Sequence, residues 1–125
     1  MRNILFSTLL MATPALAVTP QEILKSYDQN ASAARGEQLF LARHARDSGK
    51  PLGCFSCHGD DPRSQGRNEK TGKSLQPLAP VANPERLTNT FDVEKWFKRN
   101  CQDVLARPCT PQEKADVVAW LISLR

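Results

Sequence analysis

Four segments of the chain place apolar residues at the spacing of a helix, and one long stretch between them does not. The first opens at Thr19-Pro20-Gln21-Glu22 with a capping box. Thr19 caps, Pro20 suits the first helical position and Glu22 reaches back from the third, which predicts a helix to about Gln29. Between Ser32 and Arg46, Gly36, Leu39, Phe40 and Arg43 fall at helical spacing, and Ser48, Gly49, Lys50 and Pro51 stop the segment. A third helix is predicted from Phe91 to Val104 and a fourth from Pro111 to Leu124. Thr110-Pro111-Gln112-Glu113 opens the fourth with the same capping box as the first. No alternating run predicts a strand. From Gly59 to Asn89 the chain is polar and broken by Pro62, Gly66, Gly72, Pro77, Pro80 and Pro84. So long an irregular stretch calls for something to organise it, and a large bound group is the simplest candidate. The expected fold is all-α, about four helices with a long central loop.

Residues 1–17 read as a leader rather than as part of that fold. Arg2 gives a positive start, Ile4 to Ala12 an apolar stretch, and Ala15-Leu16-Ala17 a small-residue cleavage site. Export to the bacterial periplasm is expected, with a mature domain from Val18 to Arg125. Both methionines, Met1 and Met11, leave with the leader. The length of 125 residues allows one domain. A hydrophobic content of 40% speaks against disorder of the whole chain. No run approaches the roughly 20 apolar residues of a membrane span. The formal charge of +4 is interspersed with acids rather than gathered in a stripe, so nucleic acid is not an expected partner. Removing Arg2 lowers that charge by one, and it gives no strong steer toward any partner.

Cys54-Phe55-Ser56-Cys57-His58 is a C-x-x-C-H, the attachment pattern of c-type haem. Two thiols three positions apart can add to the two vinyl groups of one haem, and the adjacent histidine then reaches the iron. A thioredoxin-like redox pair would need a βαβ pattern, which the chain lacks. Half of a zinc site would need a second ligand pair, and Cys101 and Cys109 have the wrong spacing. One covalent haem c, held by Cys54 and Cys57 with His58 as proximal ligand, is the expected cofactor. Gly36 and Phe40, with Trp120 and Leu121 on the last helix, suit a close crossing of terminal helices.

The sixth ligand is the open question. Electron-transfer cytochromes c usually complete the iron with methionine or a second histidine, and the mature chain has no methionine. His44, among charged neighbours, reads as a surface histidine but is a possible ligand. Lys73, in the loop, is another. On the third helix Val93, Trp96, Phe97, Asn100, Cys101 and Val104 form one face, apolar apart from Asn100. A polar group there needs a partner. Satisfying a helix-terminal backbone group is one reading; ligation of haem iron by the amide oxygen is the other. An amide is a hard, weak ligand that favours ferric iron and gives way on reduction, leaving room for a small diatomic. Trp96 and Phe97 are expected to wall the haem, or simply to pack in the core. Cys101 and Cys109 are expected to pair in an oxidising compartment. A ring of that length is worth about 2.6 kcal/mol by chain entropy. A staple is its main expected role, and coupling to haem redox state an additional one.

The sequence resembles the sphaeroides haem protein family of high-spin c-type cytochromes. The resemblance rests on Cys54-Phe55-Ser56-Cys57-His58-Gly59, Lys70-Thr71-Gly72-Lys73, Pro77-Leu78-Ala79-Pro80, Val93-Glu94-Lys95-Trp96, Arg99-Asn100-Cys101 and Cys109-Thr110-Pro111 with Glu113-Lys114-Ala115-Asp116. It implies a class I cytochrome c fold, Asn100 as a ligand of ferric iron that leaves on reduction, and a Cys101–Cys109 disulfide. It also implies binding of oxygen, nitric oxide and similar ligands, with electrons from a dihaem cytochrome c and a membrane b-type cytochrome. His44 is no part of that pattern, and would close the site if it reached iron. A plain electron carrier ligated by His44 or a lysine, and an enzyme turning over oxygen or nitric oxide, are the rival readings.

Overall fold

A computed structural model of the chain describes residues 17–27, 29–47 and 49–125. The expected leader, apart from Ala17, lies outside the described residues, as does Ser48. Five helices and one small hairpin follow in order: α1 Pro20–Ser26, α2 Ala33–Leu41, α3 Phe55–His58, β1 Gly66–Arg67, β2 Ser74–Leu75, α4 Thr90–Leu105 and α5 Pro111–Ser123.

Both capping boxes form. The Thr19 hydroxyl accepts from the Glu22 amide at 3.1 Å and Glu22 accepts from the Thr19 amide. Thr110 and Glu113 repeat the arrangement at α5. Each satisfies amide groups that a helix start leaves without partners. α4 begins one residue before the expected point, because Asn89 caps it through the Asp92 amide. It ends where Ala106 turns left-handed at φ 57°.

α2 and α5 cross at the centre. A Cβ on Gly36 would collide with the Asp116 carbonyl, so glycine is what lets the two backbones meet. Phe40, Val117, Trp120 and Leu121 are buried around that contact. The Phe40 and Trp120 rings lie 5.0 Å apart. Such an aromatic pair adds about 0.5–1.5 kcal/mol beyond burial. Ile23 packs α1 into the interior. The expected crossing of Gly36 and Phe40 with Trp120 and Leu121 is the architecture found.

Three expectations need correction. α2 stops at Leu41 rather than Arg46, because Ala42 becomes extended and His44 pairs with Leu52 in an antiparallel bridge. Those two backbone bonds, 2.7 and 3.2 Å, replace the helical ones and turn the chain toward Cys54. α1 likewise ends at Ser26, with Tyr27 as its cap, short of Gln29. Strands do occur: Gly66 pairs with Leu75 and Arg67 with Ser74. The long loop is also ordered in part by its own bonds. The Leu78 and Ala79 amides both donate to the Pro62 carbonyl, at 2.9 and 3.0 Å.

Candidate haem site

The cysteine motif forms a single helical turn. The His58 amide donates to the Cys54 carbonyl at 3.1 Å, and the Ser56 hydroxyl accepts from the Gly53 amide at 3.0 Å. One turn of helix therefore presents Cys54 and Cys57 three positions apart, with His58 directly after them. From the other side of the loop, Gly66 presses against this turn. A Cβ there would collide with the Cys57 carbonyl and crowd the His58 Cα. The hairpin thus backs the motif, and only glycine allows it to. The Glu69 amide also approaches the Cys57 sulfur at 3.4 Å. The Arg43 guanidinium lies 4.9 Å from the Phe55 ring centre.

Burial and the charge of Arg86 push the His58 imidazole down to a pKa of about 4. It is therefore a neutral base at physiological pH, the form that ligates a metal. Burial pushes the Cys54 thiol up to about 11. A thiol held neutral in this way lacks the thiolate character of a redox-exchange cysteine. No group of three or more His, Cys, Asp or Glu gathers among the described residues to hold a metal ion by itself. The thioredoxin-like and zinc readings therefore find no support in the geometry.

His58 opens onto a cavity of about 900 Å³. That is the size of a site for a large organic ligand. Leu78, Leu87, Val93, Phe97 and Leu121 supply apolar walls. Asn100 lines the same space, from α4, so the structure brings together the two candidate iron ligands. None of the side-chain hydrogen bonds among the described residues engages the Asn100 amide. An open-mouthed, largely apolar cleft with a neutral imidazole on its wall, beside two cysteines on one turn, fits a covalently attached haem.

Trp96 and Phe97 both line the cavity. Phe97 is half-buried and meets the Tyr27 ring edge-on at 6.5 Å. Trp96 remains 45% exposed, with Lys95 and Arg99 within cation–π range at 5.4 and 5.5 Å. It is a rim residue rather than a buried wall. His44 does not line the cavity; its Nε2 lies 3.3 Å from the Leu39 carbonyl at the end of α2. Lys73 sits exposed beside the hairpin and is likewise outside the cavity lining. The sulfurs of Cys101 and Cys109 stand at disulfide distance, with Cα atoms 5.6 Å apart. Their junction ties α4, next to Asn100, to the start of α5. Another groove, of about 1000 Å³, runs along α4 and α5 past Lys98, Arg99 and Lys114. It contains none of the haem-attachment residues, whereas the other cavity holds His58.

Sequence reasoning missed Gly66 and Arg86. The first looked like loop punctuation, since only the fold reveals the backbone behind it. Arg86 was one basic residue in a polar run, and nothing local marks it as the cation whose charge acts on His58.

Comparison with known proteins bears on the same residues. Residues 26–121 match a domain family described as of unknown function, DUF1924. The chain is 43% identical over 129 residues to cytochrome c-type protein SHP of Cereibacter sphaeroides, covering 97% of this chain and 98% of that protein. It is 39% identical over 92 residues to cytochrome c'' of Methylophilus methylotrophus, covering 74% of this chain and 64% of that protein. The structure of oxidised SHP, described as an oxygen-binding cytochrome c, superposes with a TM-score of 0.78 at 40% identity, covering 86% of this chain and 98% of the other. The solution structure of cytochrome c'', which addresses haem-ligand detachment, gives 0.73 at 33% identity, covering 84% of this chain and 93% of the other. With the attachment turn, the neutral imidazole and the cavity all in place, the chain belongs to the sphaeroides haem protein family of c-type cytochromes and carries one covalently attached haem c.

Proposed function

We propose that the chain is exported to the periplasm, loses residues 1–17, and acts there as a monohaem cytochrome. It accepts electrons and then binds a small diatomic (oxygen, nitric oxide or carbon monoxide) once Asn100 has given way. Attached haem supplies one-electron chemistry and a coordination position for such a ligand. Cys54 and Cys57 anchor the group, and His58 is its permanent ligand. Asn100 is the redox-dependent one. Its amide oxygen is a hard, weak donor that suits ferric iron and is released on reduction. In an oxidising compartment Cys101 and Cys109 form a disulfide that steadies the Asn100 end of α4.

The observation that carries this reading is the placement of His58 and Asn100 on the walls of one cavity, in a chain whose residues 18–125 hold no methionine. His44 and Lys73, the other candidates, lie outside that lining. The relatives support it: one is an oxygen-binding cytochrome c, and the other has been studied for haem-ligand detachment. A dihaem cytochrome c and a membrane b-type cytochrome are the electron donors that the family resemblance suggests.

Absorption spectra of the purified holo-protein test the proposal, oxidised and then dithionite-reduced, before and after carbon monoxide. A high-spin reduced spectrum that shifts at once with carbon monoxide is expected. Sharp low-spin bands indifferent to carbon monoxide would sink it. Steady consumption of nitric oxide and oxygen in the presence of a reductant would instead make the protein an enzyme.

A further inference from the structure

Arg86 is the only Lys or Arg among the described residues that line the haem cavity. Its Nε donates to the Pro77 carbonyl at 2.9 Å and its Nη2 to the Gln76 carbonyl at 3.0 Å. Both acceptors are neutral. Glu85 and Asp92 also line the cavity, but both are exposed and neither pairs with Arg86. A guanidinium carries five N–H donors in a planar fork, so two carbonyl bonds leave further donors for another partner. The group is half-buried, and desolvation lowers its pKa from the usual arginine value. Burial of a cation that has only neutral partners is costly unless an anion completes the site.

The haem that Cys54 and Cys57 hold bears two carboxylates, its propionates. We infer that Arg86 is a haem-positioning residue: its guanidinium pairs with a haem propionate while its other donors hold the Gln76 and Pro77 carbonyls. A planar fork matches a carboxylate in two parallel bonds, which a lysine ammonium cannot reproduce. One side chain thereby fastens the loop through Gln76 and Pro77 to the cofactor. This assignment depends on haem attachment alone and is independent of what Asn100 does.

The test uses purified holo-proteins of the wild type, Arg86→Lys and Arg86→Gln. Reduction potential is read by spectroelectrochemistry at neutral pH. A cation close to the haem favours the reduced form, so Arg86→Gln is expected to lower the equilibrium constant for reduction about tenfold, about 59 mV for one electron. Arg86→Lys keeps the charge but loses the fork, and its potential is expected to stay close to that of the wild type. A residue that merely pinned the loop would behave otherwise: Lys and Gln would shift the potential equally, or neither would shift it, and either result overturns the assignment. Resonance Raman spectra of the Arg86→Lys holo-protein decide the matter even if Arg86→Gln does not assemble. The propionate bending band is expected to move from its wild-type position, and an unmoved band refutes the pairing.

Discussion

Arg35 on α2 grips the carboxylate of Asp116 on α5, its Nε 2.8 Å from Oδ2 and its Nη2 3.0 Å from Oδ1. The Ser32 amide and the Gln112 side chain also donate to Oδ1, at 2.7 and 2.9 Å. The pair stands directly beside the Gly36 contact, so the α2–α5 crossing combines a backbone approach with a satisfied buried charge. Burial alone would raise the Asp116 pKa, but the bonds from Arg35, Ser32 and Gln112 outweigh it and hold the carboxyl below its ordinary range. Replacing Asp116 by Asn is expected to cost about 1.5–3 kcal/mol at neutral pH, the worth of hydrogen bonds to a charged group. The folded-state pKa is depressed, so this stability is present above the unfolded carboxylate value of about 3.9 and disappears as pH falls through the lower folded value. Urea unfolding of wild type and Asp116→Asn should therefore differ at pH 7, with a gap that begins to shrink only below about pH 4 and closes below the depressed folded value. A gap that persists into acid would mean that the contribution is not ionic.

Gly36→Ala probes the same crossing from its backbone side. The added methyl meets the Asp116 carbonyl rather than a flexible side chain, and a helix cannot yield cheaply there. A loss of about 3 kcal/mol is expected, at the upper end of overpacking penalties. Thermal unfolding of the holo-protein measures it. An alanine variant as stable as wild type would show that α2 and α5 can separate without cost.

Gly66→Ala should act on the attachment turn. Its methyl would press on the Cys57 carbonyl and the His58 Cα, and so displace two residues of the attachment motif. The expected result is a loss of about 1–3 kcal/mol in stability together with a lower yield of haem-attached protein. Haem stain per unit of purified protein reports the second effect. Full attachment in a destabilised variant would confine the role of Gly66 to the hairpin.

Local signals were legible and distant ones were not. The capping boxes at Thr19 and Thr110 could be read because a cap spans only a few consecutive residues. The attachment motif was legible for the same reason, since one turn of helix contains it. The meeting of Phe40 with Trp120 followed from two helical patterns. In contrast, Arg35 and Asp116 lie 81 positions apart, and neither looks unusual in its own segment. The expected end of α2 lay too late because the helical spacing runs on to Arg43, whereas the Leu52 bridge that breaks it comes from a different stretch. Two-residue strands are too short to show alternation, so the hairpin left no trace in the sequence.

His44 offers a direct check on the ligand set. Its ring approaches the Leu39 carbonyl and its backbone pairs with Leu52. His44→Ala should leave the oxidised and reduced haem spectra unchanged. Its cost in stability should be no more than that of one hydrogen bond, about 0.5–1.5 kcal/mol. A spectrum that became high-spin only in this variant would make His44 the sixth ligand of the wild type.

The proposed role of Asn100 is tested by its own variants. If its amide is the weak ligand of the oxidised protein, Asn100→Ala should change the oxidised spectrum and leave the reduced one nearly as it was, because Asn100 has already left on reduction. Asn100→His makes the opposite change. Imidazole is a strong ligand for both oxidation states, so that variant should become low-spin throughout. Its affinity for carbon monoxide should fall by about tenfold or more, equivalent to at least about 1.4 kcal/mol of competition from the ring. Spectral titration of the dithionite-reduced variants with carbon monoxide measures both effects. An Asn100→Ala protein with the oxidised spectrum of the wild type would remove Asn100 from the ligand set, whatever the histidine variant did.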